Sequence, residues 1–187
     1  MLNQSLLVVK QKLEQHLKNR FGLQENIVVL NPLVEPDGSA PQKNQNKMVI
    51  TLINLVQETN KQYSAGHQRR GQSVIKVNPA LYFNLYVLFT ASFDDYEEAL
   101  KFLNATIGFF QANISLNCTS ELKAAGVMTL KFDIEDATHN ELHSLWSAMG
   151  AKYRPSIMYK VRSVSIQSDE IKTVVPEIQQ VNAEVQP

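Results

Sequence analysis

The sequence predicts an α/β (α+β) domain: a central mixed or antiparallel sheet flanked by three helices, followed by an extended C-terminal tail. Two observations predict it. Stretches whose apolar residues recur every three or four positions alternate with β-branched and aromatic runs that are apolar on both faces. Short hairpin loops between those runs are scarce, so helices and long connections join the strands, as in a sheet with helices packed on it. A chain of 187 residues fits one such domain with a real core. The expected boundaries are residues 1–168 for the domain and 169–187 for the tail.

The elements follow in order. Leu2, Leu6, Val9, Leu13, Leu17 and Phe21 form one helical stripe, and Gly22 is a natural stop. Ile27–Leu30 is β-branched and ends at Asn31-Pro32, which predicts a strand. Pro32, Pro36, Gly38 and Pro41 mark a loop to about Gln45. Met48–Val56 is apolar on both alternating faces and predicts a buried strand. Gln57 to Ala80 is a polar connection. Leu81–Ala91 predicts a long central strand. A second helix opens near Asp94, where Asp94, Asp95, Glu97 and Glu98 complement the helix dipole. Its expected buried stripe is Tyr96, Leu100, Leu103, Ile107 and Phe110, widened by Phe102 and Phe109. Asn113 to Ala125 is a polar connection, and Val127–Ile134 predicts a third long strand. Thr138 and Glu141 form a capping box for a helix carrying Leu142, Leu145, Trp146 and Met149, which Gly150 ends. Ile157, Tyr159 and Val161 alternate, whereas Val164 and Ile166 have the opposite parity; a β-bulge near Arg162-Ser163 accounts for the slip. From Asp169 onward there is no Gly, no aromatic residue and no periodicity, which predicts an extended tail ordered only on a partner.

Composition narrows the function. Eighteen Lys and Arg balance 18 Asp and Glu, so the chain lacks the basic footprint of a nucleic-acid binder. Only 19% of residues are charged, below the ~25% of ordinary soluble domains, and near-zero net charge favours association. A single cysteine, Cys118, excludes an internal disulfide framework. The first ten residues lack a basic leader and cleavage site, and the uncharged stretches Val77–Phe93 and Phe102–Ser120 contain too many polar residues for a bilayer span. A cytoplasmic location is expected.

No pattern for catalysis emerges. His139 and His143 have the i, i+4 spacing of zinc ligands, and a small metal-dependent enzyme is the remote reading they allow. Glu141, however, is misplaced for the His-Glu-x-x-His motif and reads as a cap. Asp133, Glu135 and Asp136 lack the glycine of a cation loop and read as a solvated turn. Cys118 has no local nucleophile signature, and no phosphate-binding glycine loop is present. No cofactor is expected.

The charge balance is uneven. Between Glu58 and Lys76 stand Lys61, Arg69, Arg70 and Lys76 against one acid, a net of +3. From Asp169 onward one Lys stands against Asp169, Glu170, Glu177 and Glu184, a net of −3. The two segments suit each other, within a subunit or between identical neighbours. The candidate interface residues are Arg69 and Arg70 on the loop, Arg154, Lys160 and Arg162 around the last strand, and Asp169 and Glu170 at the start of the tail.

Three blocks carry a family resemblance: Lys47–Thr59 (KMVITLINLVQET); Val77–Phe89 (VNPALYFNLYVLF) with Tyr96–Leu103 (YEEALKFL); and Leu145–Arg162 (LWSAMGAKYRPSIMYKVR), whose Trp-x-x-x-Gly-Ala-Lys-Tyr-x-Pro-Ser order is unusual. Over about residues 5–168 the chain resembles the N-terminal domain of the tail-terminator, or cap, proteins of extracellular contractile injection systems, of the antifeeding-prophage and Photorhabdus virulence cassette type. The resemblance implies a structural role, not an enzyme. It implies a homohexameric ring that ends the inner tube and anchors the last sheath layer, with the tube and sheath proteins as partners. Nucleic acid and direct membrane contact have no part in it, and the particle, assembled in the cytoplasm, is released or envelope-anchored. A sheet-edge adaptor or chaperone of the same assembly is the alternative.

Overall fold

The computed structural model describes residues 2–58, 67–70, 73–77, 81–118, 129–166 and 171–176. Helix α1 (Leu2–Phe21) leads to β1 (Val28–Leu30), a 3-10 turn (Gln42–Asn44) and β2 (Lys47–Gln57). Next come β3 (His67–Arg70), β4 (Ser73–Val77), β5 (Leu81–Ser92), α2 (Tyr96–Ala112) and β6 (Ser115–Asn117). The chain continues through β7 (Thr129–Ile134), α3 (His139–Met149), β8 (Ser156–Ile166) and β9 (Ile171–Pro176).

Six strands form a mixed sheet in the order β1-β2-β5-β8-β7-β6. The β1–β2 pair is parallel and every other pair antiparallel. Among the described residues three helices accompany this sheet, an α+β fold as the sequence predicts, with β5 in its middle. A second, three-stranded antiparallel sheet runs β3-β4-β9. It lies where the sequence suggested only a polar connection and an irregular tail.

The core lies between the large sheet and helices α1 and α2. Along β5, Leu85, Val87, Phe89 and Ala91 point at the helices and are fully buried. Met48 and Ile50 of β2, Leu130 and Phe132 of β7, and Tyr159 and Val161 of β8 join them. Phe110 of α2 sits at the centre, with ring contacts to Phe89, Phe132 and Tyr159 at 4.7–4.9 Å. Phe21 packs on Phe102 and His16 on Phe109, so α1 and α2 run antiparallel. Val49, Leu88 and Thr90, on the other face of the same strands, are also buried; the middle of the sheet is therefore covered on both sides, as its two-faced sequence requires.

The expected bulge in β8 is present. Val161 pairs with Leu85 and Val164 with Phe83, so three steps on β8 face two on β5, and both valines reach the core. A second bulge shifts β2 between Leu52 and Asn54. Beyond it β2 leaves the helix layer, and Leu55 and Val56 are 39% and 41% exposed.

Helix α2 follows the prediction in part: Phe102, Phe109 and Phe110 are buried as expected. Its buried face is Ala99, Phe102, Ala105, Thr106, Phe109 and Phe110. Tyr96 and Leu100, from the expected stripe, are 66% and 44% exposed. Two apolar stripes share this helix, and the one with larger rings and smaller neighbours packs more closely. The α3 boundaries follow the signals in the sequence: Thr138 and Glu141 complete the capping box, and Gly150 closes the helix at φ 65°, ψ 17°, a left-handed conformation that glycine adopts without penalty.

Candidate functional site

Strand alternation builds the first surface. Leu130, Phe132 and Val161 face the core, so Lys131, Asp133, Lys160 and Arg162 share the opposite face, in register across β7 and β8. Arg162 pairs through Nε with the Asp133 carboxylate, both about half exposed. Lys160 lies over the Tyr86 ring on β5, 5.5 Å from its centroid. Such a contact is worth about 0.5–1 kcal/mol at an exposed site and fixes the ammonium beside the ring. Three cations to one carboxylate, with an aromatic platform, suit an acidic protein surface.

The second surface is a cleft of about 540 Å³ at the Ser92 end of β5. One wall is the loop from Leu33 to Gln45; the other is the turn after α3, with Trp146, Gly150, Lys152 and Arg154. The loop keeps its shape through Asn44, which is buried: its amide donates to the Pro32 carbonyl at 2.8 Å and accepts from Asn31 at 2.8 Å. Arg154 is anchored by a bond to the Phe93 carbonyl at 3.2 Å. Asp94, on the floor, accepts from Gln45 and Asn46 at 2.9 and 3.4 Å. Trp146 is 5% exposed, packs edge-on against Tyr153, and its indole N–H has no acceptor among the described residues.

The candidate residues thus separate. Lys160 and Arg162 share the open sheet face, and Arg154 lines the cleft. Arg69 and Arg70 lie on β3, opposite Val74 and Ser73 of β4. Asp169 and Glu170 lie outside the described residues. Lys131, Tyr86 and Trp146 were missed as site residues. For Lys131 the signal was present, since it alternates with Leu130 and Phe132 in a predicted strand.

His139 and His143 are both exposed on α3, and no His, Cys, Asp and Glu group among the described residues is placed to hold a metal ion. Cys118 is buried in the core. The displaced pKa values belong to scattered structural groups. Burial, with the nearby Arg20 charge, lowers that of His16. Hydrogen bonds from Thr138 lower that of Glu141. Burial raises that of Tyr159. Among the described residues no helix is long and apolar enough to cross a membrane.

A family model described as the Pvc16 N-terminal domain matches residues 7–180. The chain belongs to the Pvc16 N-terminal domain family. The match runs past residue 168, the limit expected from the resemblance, and takes in β9. Two solved structures share the fold. One is the PVC sheath/tube terminator of an extracellular contractile injection system in its extended state, at 14% identity and a TM-score of 0.61, over 96% of this chain and 62% of that one. The other is the anti-feeding prophage cap, a tube terminating cap, at 13% identity and a TM-score of 0.60, over 96% of this chain and 61% of that one. The chain thus spans a little over three fifths of either terminator. A search of curated proteins finds no match.

Proposed function

We propose that this chain is a structural cap: it ends the inner tube of a phage-tail-like contractile injection system and anchors the last sheath layer, as a ring of six identical subunits. The observation that carries the reading is membership of the Pvc16 N-terminal domain family over residues 7–180, together with a fold shared with two tube terminators. The charged face of β7 and β8 and the cleft supply surfaces for such a role. Its partners are further copies of itself, the tube protein and the sheath protein; it takes no cofactor and performs no catalysis. Assembly takes place in the cytoplasm, without direct contact to a membrane or nucleic acid.

The proposed contacts are Arg69, Arg70, Arg154, Lys160, Arg162, Asp169 and Glu170. A ring needs a heterologous interface whose rotation closes, and the cap must present one face to the tube while its other face refuses a further layer. Light scattering of the purified chain, alone and with tube protein, tests the reading: a six-fold mass, or micrographs showing the chain at tube ends, supports it. A strict monomer that ignores both tube and sheath proteins overturns it. The adaptor reading separates from the cap on truncation after residue 176, which keeps β9. A cap then loses assembly onto tubes, whereas an adaptor loses a single binary partner.

A further inference from the structure

The charged face of β7 and β8 holds a conflict that one subunit leaves standing. Lys131 and Arg162 lie directly opposite each other across the two strands, and like charges so placed are destabilising. Arg162 has Asp133 as its partner. Lys131 is exposed and has no ion pair among the described residues. Lys160 lies over the Tyr86 ring. The face thus sets three cations against one carboxylate, a net of +2. Further carboxylates laid over Lys131 and Arg162 would relieve the repulsion and make charge-assisted hydrogen bonds.

The same chain presents the complement at the start of α2. Residues 94–101 read Asp-Asp-Tyr-Glu-Glu-Ala-Leu-Lys, four acids to one lysine, a net of −3. Two of these acids are engaged within the subunit. Asp94 accepts from Gln45 and Asn46, and Asp95 caps the helix by accepting from the Glu98 N–H at 2.8 Å. Glu97 and Glu98 are exposed in the first turn and have no ion pair among the described residues. Beside them Tyr96, 66% exposed, offers a ring on which a guanidinium can stack.

Topology decides how the two patches can meet. Helix α2 packs on the core face of the large sheet, where Phe110 touches Phe89, Phe132 and Tyr159. Lys131, Lys160 and Arg162 alternate with Phe132 and Val161 and occupy the other face. The hydrogen-bonded sheet stands between the patches, and both sit on regular elements. They meet only between two copies.

We propose that the first turn of α2 in one copy docks on the β7–β8 face of its neighbour, with Glu97 and Glu98 over Lys131, Lys160 and Arg162 and Tyr96 against the Arg162 guanidinium. This rests on the reading of the chain as a ring of identical copies, and it names the contact. Because the two patches lie on opposite faces of the sheet, the contact is heterologous, the kind whose rotation can close a ring. Each copy gives its α2 turn on one side and receives a neighbour's on the other.

Charge reversal tests the contact, with mass read by light scattering on the full chain at low ionic strength, and with tube protein added where the ring needs it. One variant, Glu97→Lys with Glu98→Lys, sets a basic turn against a basic face. The other, Lys131→Glu with Lys160→Glu, sets an acidic face against an acidic turn. Either variant alone should need a concentration about tenfold higher than wild type to associate, since like charges then face each other across the contact. An equal mixture of the two should recover the wild-type mass, because in an alternating ring every contact again joins opposite charges. Two misfolded chains would not rescue each other, so the recovery separates a lost contact from a lost fold. Wild-type association of either variant alone, or a mixture that associates no better than its components, overturns the inference. If wild-type rings form beside either result, this contact is wrong and the cap reading stands. A wild-type chain that stays monomeric even beside tube protein removes the ring and the contact together.

Discussion

Replacing Glu14 by Ala should destabilise the domain by about 3 kcal/mol, although the residue lies on a helix and belongs to no motif. Its carboxylate reaches from α1 to the start of β1, where the backbone N–H groups of Ile27 and Val28 donate to its two oxygens at 2.9 and 2.8 Å. Edge strand β1 has only β2 as a strand partner, and these N–H groups face the side away from it. Glu14 is 14% exposed and also pairs with Lys18 at 3.4 Å. A hydrogen bond to a charged group contributes about 1.5–3 kcal/mol; two of them, reduced because water can reach part of the site, give the ~3 kcal/mol above. For a chain of this size each kcal/mol moves the midpoint by roughly 2–4 °C, so the melting temperature should fall by about 6–12 °C. Glu14→Gln keeps one acceptor and turns an N–H toward the other donor, and should lose at least half as much. Gln15→Ala, on the exposed side where Gln15 reaches only Asn19, should stay within about 0.5 kcal/mol. Urea unfolding followed by circular dichroism measures all three. If Glu14→Ala unfolds at the same urea concentration as Gln15→Ala, the carboxylate does not hold β1 to α1.

Three further outcomes are expected. Phe89→Ala removes a fully buried ring that packs on Phe110 and Tyr159, and should cost about 3–5 kcal/mol; a loss below 1 kcal/mol in urea unfolding would contradict that packing. Thr138→Ala deletes the α3 cap and should cost about 1 kcal/mol, lowering the melting temperature by about 2–4 °C; no change by calorimetry would mean that α3 needs no cap. His16 has its pKa lowered by burial and by Arg20, so the unfolded chain takes its proton first. Its contribution therefore favours the folded state above pH 6.5, declines as the pH falls through 6.5, and levels off below the lowered folded value. Part of the wild type's loss of stability between pH 7 and 5 should vanish in His16→Gln, and identical pH profiles for the two proteins would exclude this role.

The sequence was legible where one local rule and the global packing agreed. The α1 stripe, the capping box at Thr138, the two-faced β5 and the bulge at Arg162-Ser163 all follow from spacing. The buried face of α2 was legible only in part: Phe102, Phe109 and Phe110 are buried as expected, whereas Tyr96 and Leu100, whose helical spacing is as good, are exposed. Only the partners settle it: Phe21, Phe93 and His16 stack on the phenylalanine face. The small sheet was invisible for a different reason. Strands β3, β4 and β9 have 4, 5 and 6 residues, too short for a period of two to stand out. The partner of β4 also lies about a hundred positions along the chain. The cleft was equally hidden: Arg154 was chosen for its charge, but nothing local places the Leu33–Gln45 loop opposite Trp146.

The order β3-β4-β9 repeats β2-β5-β8. Strand β3 follows β2, β4 precedes β5 and β9 follows β8, so the three middle strands of the large sheet lead one by one into the small sheet in the same order and with the same antiparallel sense. Strands β4 and β9 therefore pair inside one subunit, with Val74 opposite Val175 and Lys76 opposite Thr173. Backbone pairing between β4 and β9 is insensitive to salt, whereas the proposed contacts between copies through Arg154, Lys160 and Arg162 are screened by it. Raising ionic strength to about 1 M, where the Debye length falls to about 3 Å, should accordingly weaken the contact between copies while leaving each subunit's fold intact. Oligomers that survive that salt with unchanged mass would have to be held by apolar contact instead, and Leu55, Val56 and Leu81, left exposed where the large sheet outruns its helices, are then the residues to substitute first.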